Sequence, residues 1–321
     1  MSASEPLSEH GIPAPITRIF GWSTLGLAAA FMINNILTVG FGYPGALAGD
    51  PVQIGIYVIA VAVCVFFVMR TPDRALRWDA KIVSDFNAYL IRACFFSVLF
   101  VGIVDAAIAF LRVENLLEVF FSEQGVKDLT RARYVGPWVH FPIIVFSFIV
   151  AFFTRTLGFI WLALLIVVAE LLIVISRFVF SYEQALMGDL VRYWYAALFL
   201  FSSAYTLLEE GHVRVDVLYA GFNPRRKGRV NAIGTILLGM TTAWAIILIG
   251  MGSKQAIVNS PVANFEVSQS STAGMYIKYQ MAAFLAIFAI TMLIQFVSYL
   301  FEAVADARGE PGKRQIAAVS H

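Results

Sequence analysis

The chain has 321 residues, of which 60% are hydrophobic and 14% charged, with a formal net charge of +2. A water-soluble domain carries roughly 45–50% apolar and 25% charged residues, and a soluble fold of this length has nowhere to hide so much apolar surface. The small positive balance gives no ground for a nucleic-acid partner, because a few uncompensated Lys and Arg residues are normal beside membrane spans.

Runs of about 18 or more mostly apolar residues are long enough to cross roughly 30 Å of hydrocarbon. Such runs predict spans at about 19–41, 52–69, 86–111, 137–153, 157–180, 192–208, 230–251 and 277–301. The fold class is therefore an all-α polytopic membrane protein with about eight transmembrane helices. Ala46-Leu47-Ala48 after the first run has the look of a signal cleavage site. The run is longer than a signal h-region of about 7–15 residues, and only Arg18 stands before it, behind Glu5 and Glu9, so it reads as a retained span. Cys64 and Cys94 lie in separate apolar runs without CxxC spacing, which suggests packing rather than a disulfide or a zinc site.

The third run carries Asp105 and is followed by a segment, 112–136, whose charges nearly cancel. There Val113, Leu116, Leu117, Phe120 and Phe121 fall at helical spacing, as in an amphipathic helix lying on the outer membrane surface or a cap over the bundle. The fourth run is short and contains Pro137 and Pro142. The fifth starts almost at once after Thr154-Arg155-Thr156, which predicts a tight helical hairpin.

Cytoplasmic loops collect Lys and Arg. With the N-terminus inside, the inside segments hold Arg70, Arg74, Arg77 and Lys81, then Arg155, then Arg214, Arg225, Arg226, Lys227 and Arg229, and last Arg308, Lys313 and Arg314. The outside connections are nearly free of cations, apart from the balanced 112–136 segment. Both ends are thus expected in the cytoplasm, an N-in/C-in arrangement.

A charge at mid-membrane costs several kcal/mol and invites a functional reading. Glu170 lies centrally in the fifth run. It reads either as a proton or cation site or as a carboxyl hydrogen-bonded to another helix or subunit. Arg177 shares its helix face but lies about 10 Å further along the axis, too far for a direct pair. His140 stands alone among histidines in the membrane, so haem ligation is not expected, and no other cofactor motif is present.

The second half holds an ordered series that composition does not explain. It begins with Arg177-Phe178-Val179-Phe180 and continues through Asp189-Leu190-Val191-Arg192-Tyr193. It ends with Glu209-Glu210-Gly211-His212-Val213-Arg214-Val215-Asp216-Val217-Leu218. This series resembles the small membrane subunit, of DctQ type, of tripartite ATP-independent periplasmic (TRAP) transporters, the Gly-His-Val-Arg-Val-Asp hexamer being its specific part. The resemblance covers about 157–303. Where that family tends to carry Trp and a Glu-Glu pair before the sixth span, this chain has Leu186 and Gly188-Asp189. The 1–156 region has no counterpart in typical small subunits.

On this resemblance the chain divides into a cytoplasmic tail (1–18), an extension with about four spans (19–156), a four-helix small-permease core (157–303) and a C-terminal tail (304–321). The resemblance implies a bacterial inner-membrane subunit that scaffolds a large permease for ion-gradient-driven uptake of an organic acid or similar solute delivered by a periplasmic binding protein. It implies no enzyme activity and no cofactor. Glu170, Arg177, Asp189, Arg192, Glu209, Gly211, His212, Arg214 and Asp216 are then candidates for subunit contacts or for a structural motif. Read from the residues alone, Gly211 suits the stop of the sixth helix and Pro224 the start of the seventh. Arg214 and Asp216 between them either pair to hold the turn, lock the connection against a neighbouring subunit, or belong to an ordinary solvated, positive-inside loop. The alternatives from other classes are a self-sufficient transporter or channel and, third, a membrane enzyme subunit. The 157–303 unit is expected to suffice for the core role.

Overall fold

The computed structural model describes residues 13–45, 49–154, 159–208, 217–267 and 273–312. Every regular element among them is helical. The first helices are α1 (Ala14–Gly40), α2 (Pro51–Arg70) and α3 (Leu76–Val113). Three short helices follow: α4 (Leu117–Phe120), α5 (Glu123–Leu129) and α6 (Ala132–Val135). A π-helical turn at Gly136–His140 leads into α7 (Phe141–Phe153), followed by α8 (Phe159–Phe180) and α9 (Ala185–Leu208). After α10 (Val217–Ala220), α11 (Pro224–Gly234) passes through a second π-helical turn at Thr235–Met240 into α12 (Thr241–Met251). The last elements are α13 (Asn259–Asn264) and α14 (Lys278–Arg308).

Among the described residues, seven helices are long and apolar enough to cross a membrane: α1, α2, α3, the α6–α7 stretch, α8, the α11–α12 stretch and α14. The predicted sixth span also forms a helix, the 24-residue α9. It falls short of the apolar measure because it carries Asp189, Arg192, three consecutive aromatic residues and two serines. Several helices outrun the predicted spans. α3 begins at Leu76 rather than near 86, and its 38 residues reach about 57 Å. The polar ends of these helices find ion-pair partners, as Arg77 does below, so helical structure does not stop where hydrocarbon would.

Local chemistry explains the starts. Asp50 accepts the N–H of Val52 at 2.9 Å with Pro51 opening α2. Asn223 accepts the N–H of Arg226 at 2.8 Å with Pro224 opening α11, the helix start expected for that proline. The turn of the expected hairpin, between α7 and α8, lies outside the described residues at 155–158.

The helix expected across 113–121 is not there. Asn115 adopts a left-handed conformation (φ 55°), ends α3 two residues earlier and re-aims the chain. The apolar residues then separate: Leu117 is buried, whereas Phe120 and Phe121 are exposed. Leu117 joins Ile108, Leu129, Val135 and Tyr276 in one buried cluster, so the segment packs as a cap rather than as a surface helix.

The chain forms two compact units that interleave in sequence. One comprises 1–87, 206–248 and 289–321, and the other 88–205 and 249–288. The first unit is tied by buried and partly buried polar side chains. Arg18 pairs with Asp79, both almost fully buried, and reaches the carbonyl and, at 2.9 Å, the hydroxyl of Thr71. Arg77 pairs with Glu302, with Asp306 at 2.8 Å and with the carbonyl of Glu310 at 2.9 Å. Asn87 donates to the carbonyl of Thr291 at 3.0 Å and faces Gln295 Oε1 at 3.1 Å, while Ser298 donates to the carbonyl of Ala80 at 2.7 Å. Gly228 lets α11 meet α14 backbone to backbone, since a Cβ there would come within 2.5 Å of the carbonyl oxygen of Ala303.

Candidate functional site

The second unit encloses a polar network built from four regions of the chain, one of them α9, which supplies Tyr193. α3 supplies Asp105 and Arg112, the π-helical turn before α7 supplies His140, and α14 with the loop before it supplies Tyr276, Tyr279 and Gln280. The extra residue in a π turn re-aims the helix face. His140, the last residue of this one, ends wholly buried, as does Asp105.

His140 Nε2 lies 3.1 Å from Asp105 Oδ1, and its Nδ1 lies 2.9 Å from the Tyr279 hydroxyl and 3.1 Å from Gln280 Nε2. The other carboxylate oxygen of Asp105 accepts the backbone N–H of Tyr276 at 2.7 Å. Tyr193 of α9, fully buried and stacked on Phe284 at 5.2 Å, donates its hydroxyl proton to Gln280 Oε1. The guanidinium of Arg112 lies 4.0 Å from the centre of the Tyr276 ring and donates to the carbonyl of Gly274. Burial pushes the Tyr276 phenol up and the nearby Arg112 charge opposes this, with Asp105 adding to the rise. Outside the helices, the Glu114 carboxylate accepts the hydroxyl proton of Tyr182 and raises that phenol too.

Of the residues expected from the sequence to matter, four lie among the described residues: Glu170, Arg177, Asp189 and Arg192. Glu170 is exposed midway along α8, with no partner among the described residues. Arg177, also exposed, faces Glu183 at 3.5 Å rather than Glu170. Asp189 is buried and accepts the backbone N–H of Met275 at 3.1 Å. Arg192, three residues on, is exposed. Glu209, Gly211, His212, Arg214 and Asp216 lie outside the described residues.

The network itself centres on residues the sequence did not connect. His140 is the one histidine of the membrane region, but it is not isolated, because Asp105, Tyr279 and Gln280 all reach it. A usable signal was present: two ionisable residues in separate apolar runs each need a polar partner, and the nearest solution is each other.

Helices of this length and apolarity, with polar side chains turned to one another inside, define a multi-pass α-helical membrane protein. No curated protein and no solved structure matches the chain. Residues 163–306, just under half of the chain, match the family of tripartite ATP-independent periplasmic transporters, DctQ component. The chain thus carries a DctQ-type segment at 163–306.

Proposed function

We propose that the chain is the small, non-catalytic subunit of a TRAP transporter in a bacterial inner membrane, scaffolding a large permease that takes up a solute delivered by a periplasmic binding protein. The DctQ-type segment supports the class. The observation that carries the scaffold role is the surface of α8. Only 6% of its apolar stretch is buried within the chain, and Glu170 stands exposed near its middle. Lipid can cover apolar residues such as Val167, Leu171 and Val174, which are all exposed. It cannot cover a carboxyl at that depth without a cost of several kcal/mol. A protein partner with a hydrogen-bond donor opposite Glu170 removes that cost. By contrast, the exposed face of α2 holds Val58, Ile59, Val63 and Phe66, which suits lipid.

The test is co-purification of the large permease with the wild-type chain, Glu170→Gln and Glu170→Leu. Gln keeps a polar group and should retain most of the complex. Leu should lower the yield roughly tenfold or more, as loss of a charge-assisted hydrogen bond of about 1.5–3 kcal/mol requires. Equal yields for all three would place α8 against lipid. Solute movement by the chain alone in liposomes would replace this reading with that of a self-sufficient transporter.

The N-in/C-in orientation belongs to the same proposal. Ser122 and Asn223 are both exposed. Cysteines placed at Ser122 and Ser268 should react with an impermeant maleimide from outside the cell, and one at Asn223 should not. Labelling of Asn223→Cys in sealed cells would invert the arrangement.

A further inference from the structure

His140 is enclosed by groups whose hydrogen-bonding roles can be worked out one from another. Tyr193 donates to Gln280 Oε1, which turns the Gln280 NH2 group toward the ring of His140 and toward the Tyr279 oxygen, 2.9 Å away. An amide NH2 only donates, so Nδ1 of His140 is bare and accepts. The ring proton then sits on Nε2 and is donated to Asp105 Oδ1. Both carboxylate oxygens of Asp105 accept N–H groups, which is the pattern of an ionised carboxylate.

We propose that Asp105 and His140 form a proton-binding site, and that binding of a proton at His140 Nδ1 is signalled to α9 by inversion of the Gln280 side-chain amide, the proton itself staying on the ring. Once Nδ1 carries a proton it donates, and the Gln280 NH2 can no longer face it. A half-turn of the amide brings Oε1 to the new N–H and swings the NH2 toward Tyr193. The Tyr193 hydroxyl changes from donor to acceptor, and its proton must point elsewhere. Only hydrogen bonds are exchanged, and the sole added atom is the proton. The Asp105 and His140 pair passes from one negative charge to an imidazolium beside a carboxylate, neutral as a whole.

The surroundings suit this role. Tyr279 is partly exposed and its hydroxyl lies 2.9 Å from Nδ1, so it connects the buried ring to the outside of the unit. The other titratable and charged groups nearby are Tyr193 on α9, Cys94 and Arg112 on α3, and Tyr276 before α14. A π-helical turn places His140, and such turns recur at functional sites. Packing alone would not require an imidazole and a carboxylate here, since apolar side chains of similar size fill a buried site at no desolvation cost.

The experiment is nitrogen NMR of the full-length protein in lipid nanodiscs with labelled histidine. The four histidines are distinguished by His140→Gln, which deletes one set of signals. At alkaline pH, His140 should show a bare Nδ1 and a protonated Nε2. On acidification Nδ1 should shift to the protonated position, and the ring-carbon signal of labelled Tyr193 should shift in the same step. In Gln280→Leu the His140 step should persist and the Tyr193 shift should vanish, a separation that a merely structural network would not give. Asp105→Asn should abolish the imidazolium signal over the same range; if that variant does not fold, the wild-type and Gln280→Leu spectra decide. A protonated Nδ1 already at alkaline pH, no protonation step, or a Tyr193 shift that survives Gln280→Leu would each overturn the proposal.

Discussion

Deleting residues 1–156 is expected to leave a DctQ-type segment that does not fold. Taken alone, the sequence supports the opposite result, because the recognisable pattern lies within 157–303. The hydrogen bonds argue otherwise. Within the first unit the deletion takes Arg77 from Glu302 and Asp306, Asn87 from Gln295, and the carbonyl of Ala80 from Ser298. Within the second it takes Asp105 from the N–H of Tyr276, His140 from Gln280, and the carbonyl of Val98 from the indole N–H of Trp194. Each group that stays buried after losing its partner, such as Gln295, Ser298 or the Trp194 indole, costs about 1–3 kcal/mol. Together such losses are comparable with the whole stability of a domain, about 5–15 kcal/mol. The truncated chain should therefore aggregate in detergent chromatography and be cleared from the membrane. A monodisperse 157–321 fragment that still binds the permease would show that these contacts are dispensable.

Asp79→Ala should be the most damaging single substitution in the first unit. Arg18 is 1% exposed and Asp79 fully buried. Removing one partner leaves a guanidinium without its counter-charge, which costs about 3–5 kcal/mol when the pair is buried. The thermal midpoint of the purified protein should fall sharply. Arg18→Met with Asp79→Leu, which removes both charges and keeps bulk, should recover most of the loss. If Asp79→Ala shifts the midpoint no more than an exposed change such as Lys81→Ala, water reaches the pair and the burial argument fails.

The existence of the helices was legible because each apolar run has to satisfy its own backbone in lipid, and only a helix does so within one segment. Their ends were less legible, since helical hydrogen bonding continues past the apolar part wherever charged side chains find partners, as at Arg77. The amphipathic reading of 113–121 failed at a single residue, because nothing in the apolar spacing reveals that Asn115 turns left-handed. The buried network was half legible. Asp105 and His140 announce themselves as ionisable residues in apolar runs, but they are 35 positions apart, and Gln280 is 140 positions beyond His140. Tyr193, Tyr279 and Gln280 carry no charge and no such mark. The recognisable hexamer at 211–216 carried the resemblance, while its geometry falls outside the described residues.

The two arginine ties of the first unit differ in when they can form. Arg18 meets Asp79 after only 61 further residues, so α1 and the start of α3 can lock early. Arg77 has its carboxylate partners on α14, 225 and 229 residues later. At about 5–20 residues per second of synthesis, Arg77 waits roughly 10–45 s for them to be made. During that interval a full positive charge stands at the head of α3 with no counter-charge of its own, held by water or lipid headgroups. The carboxylates that close the first unit are thus made long after the arginine they hold, and a nascent chain stalled before α14 should still be open there.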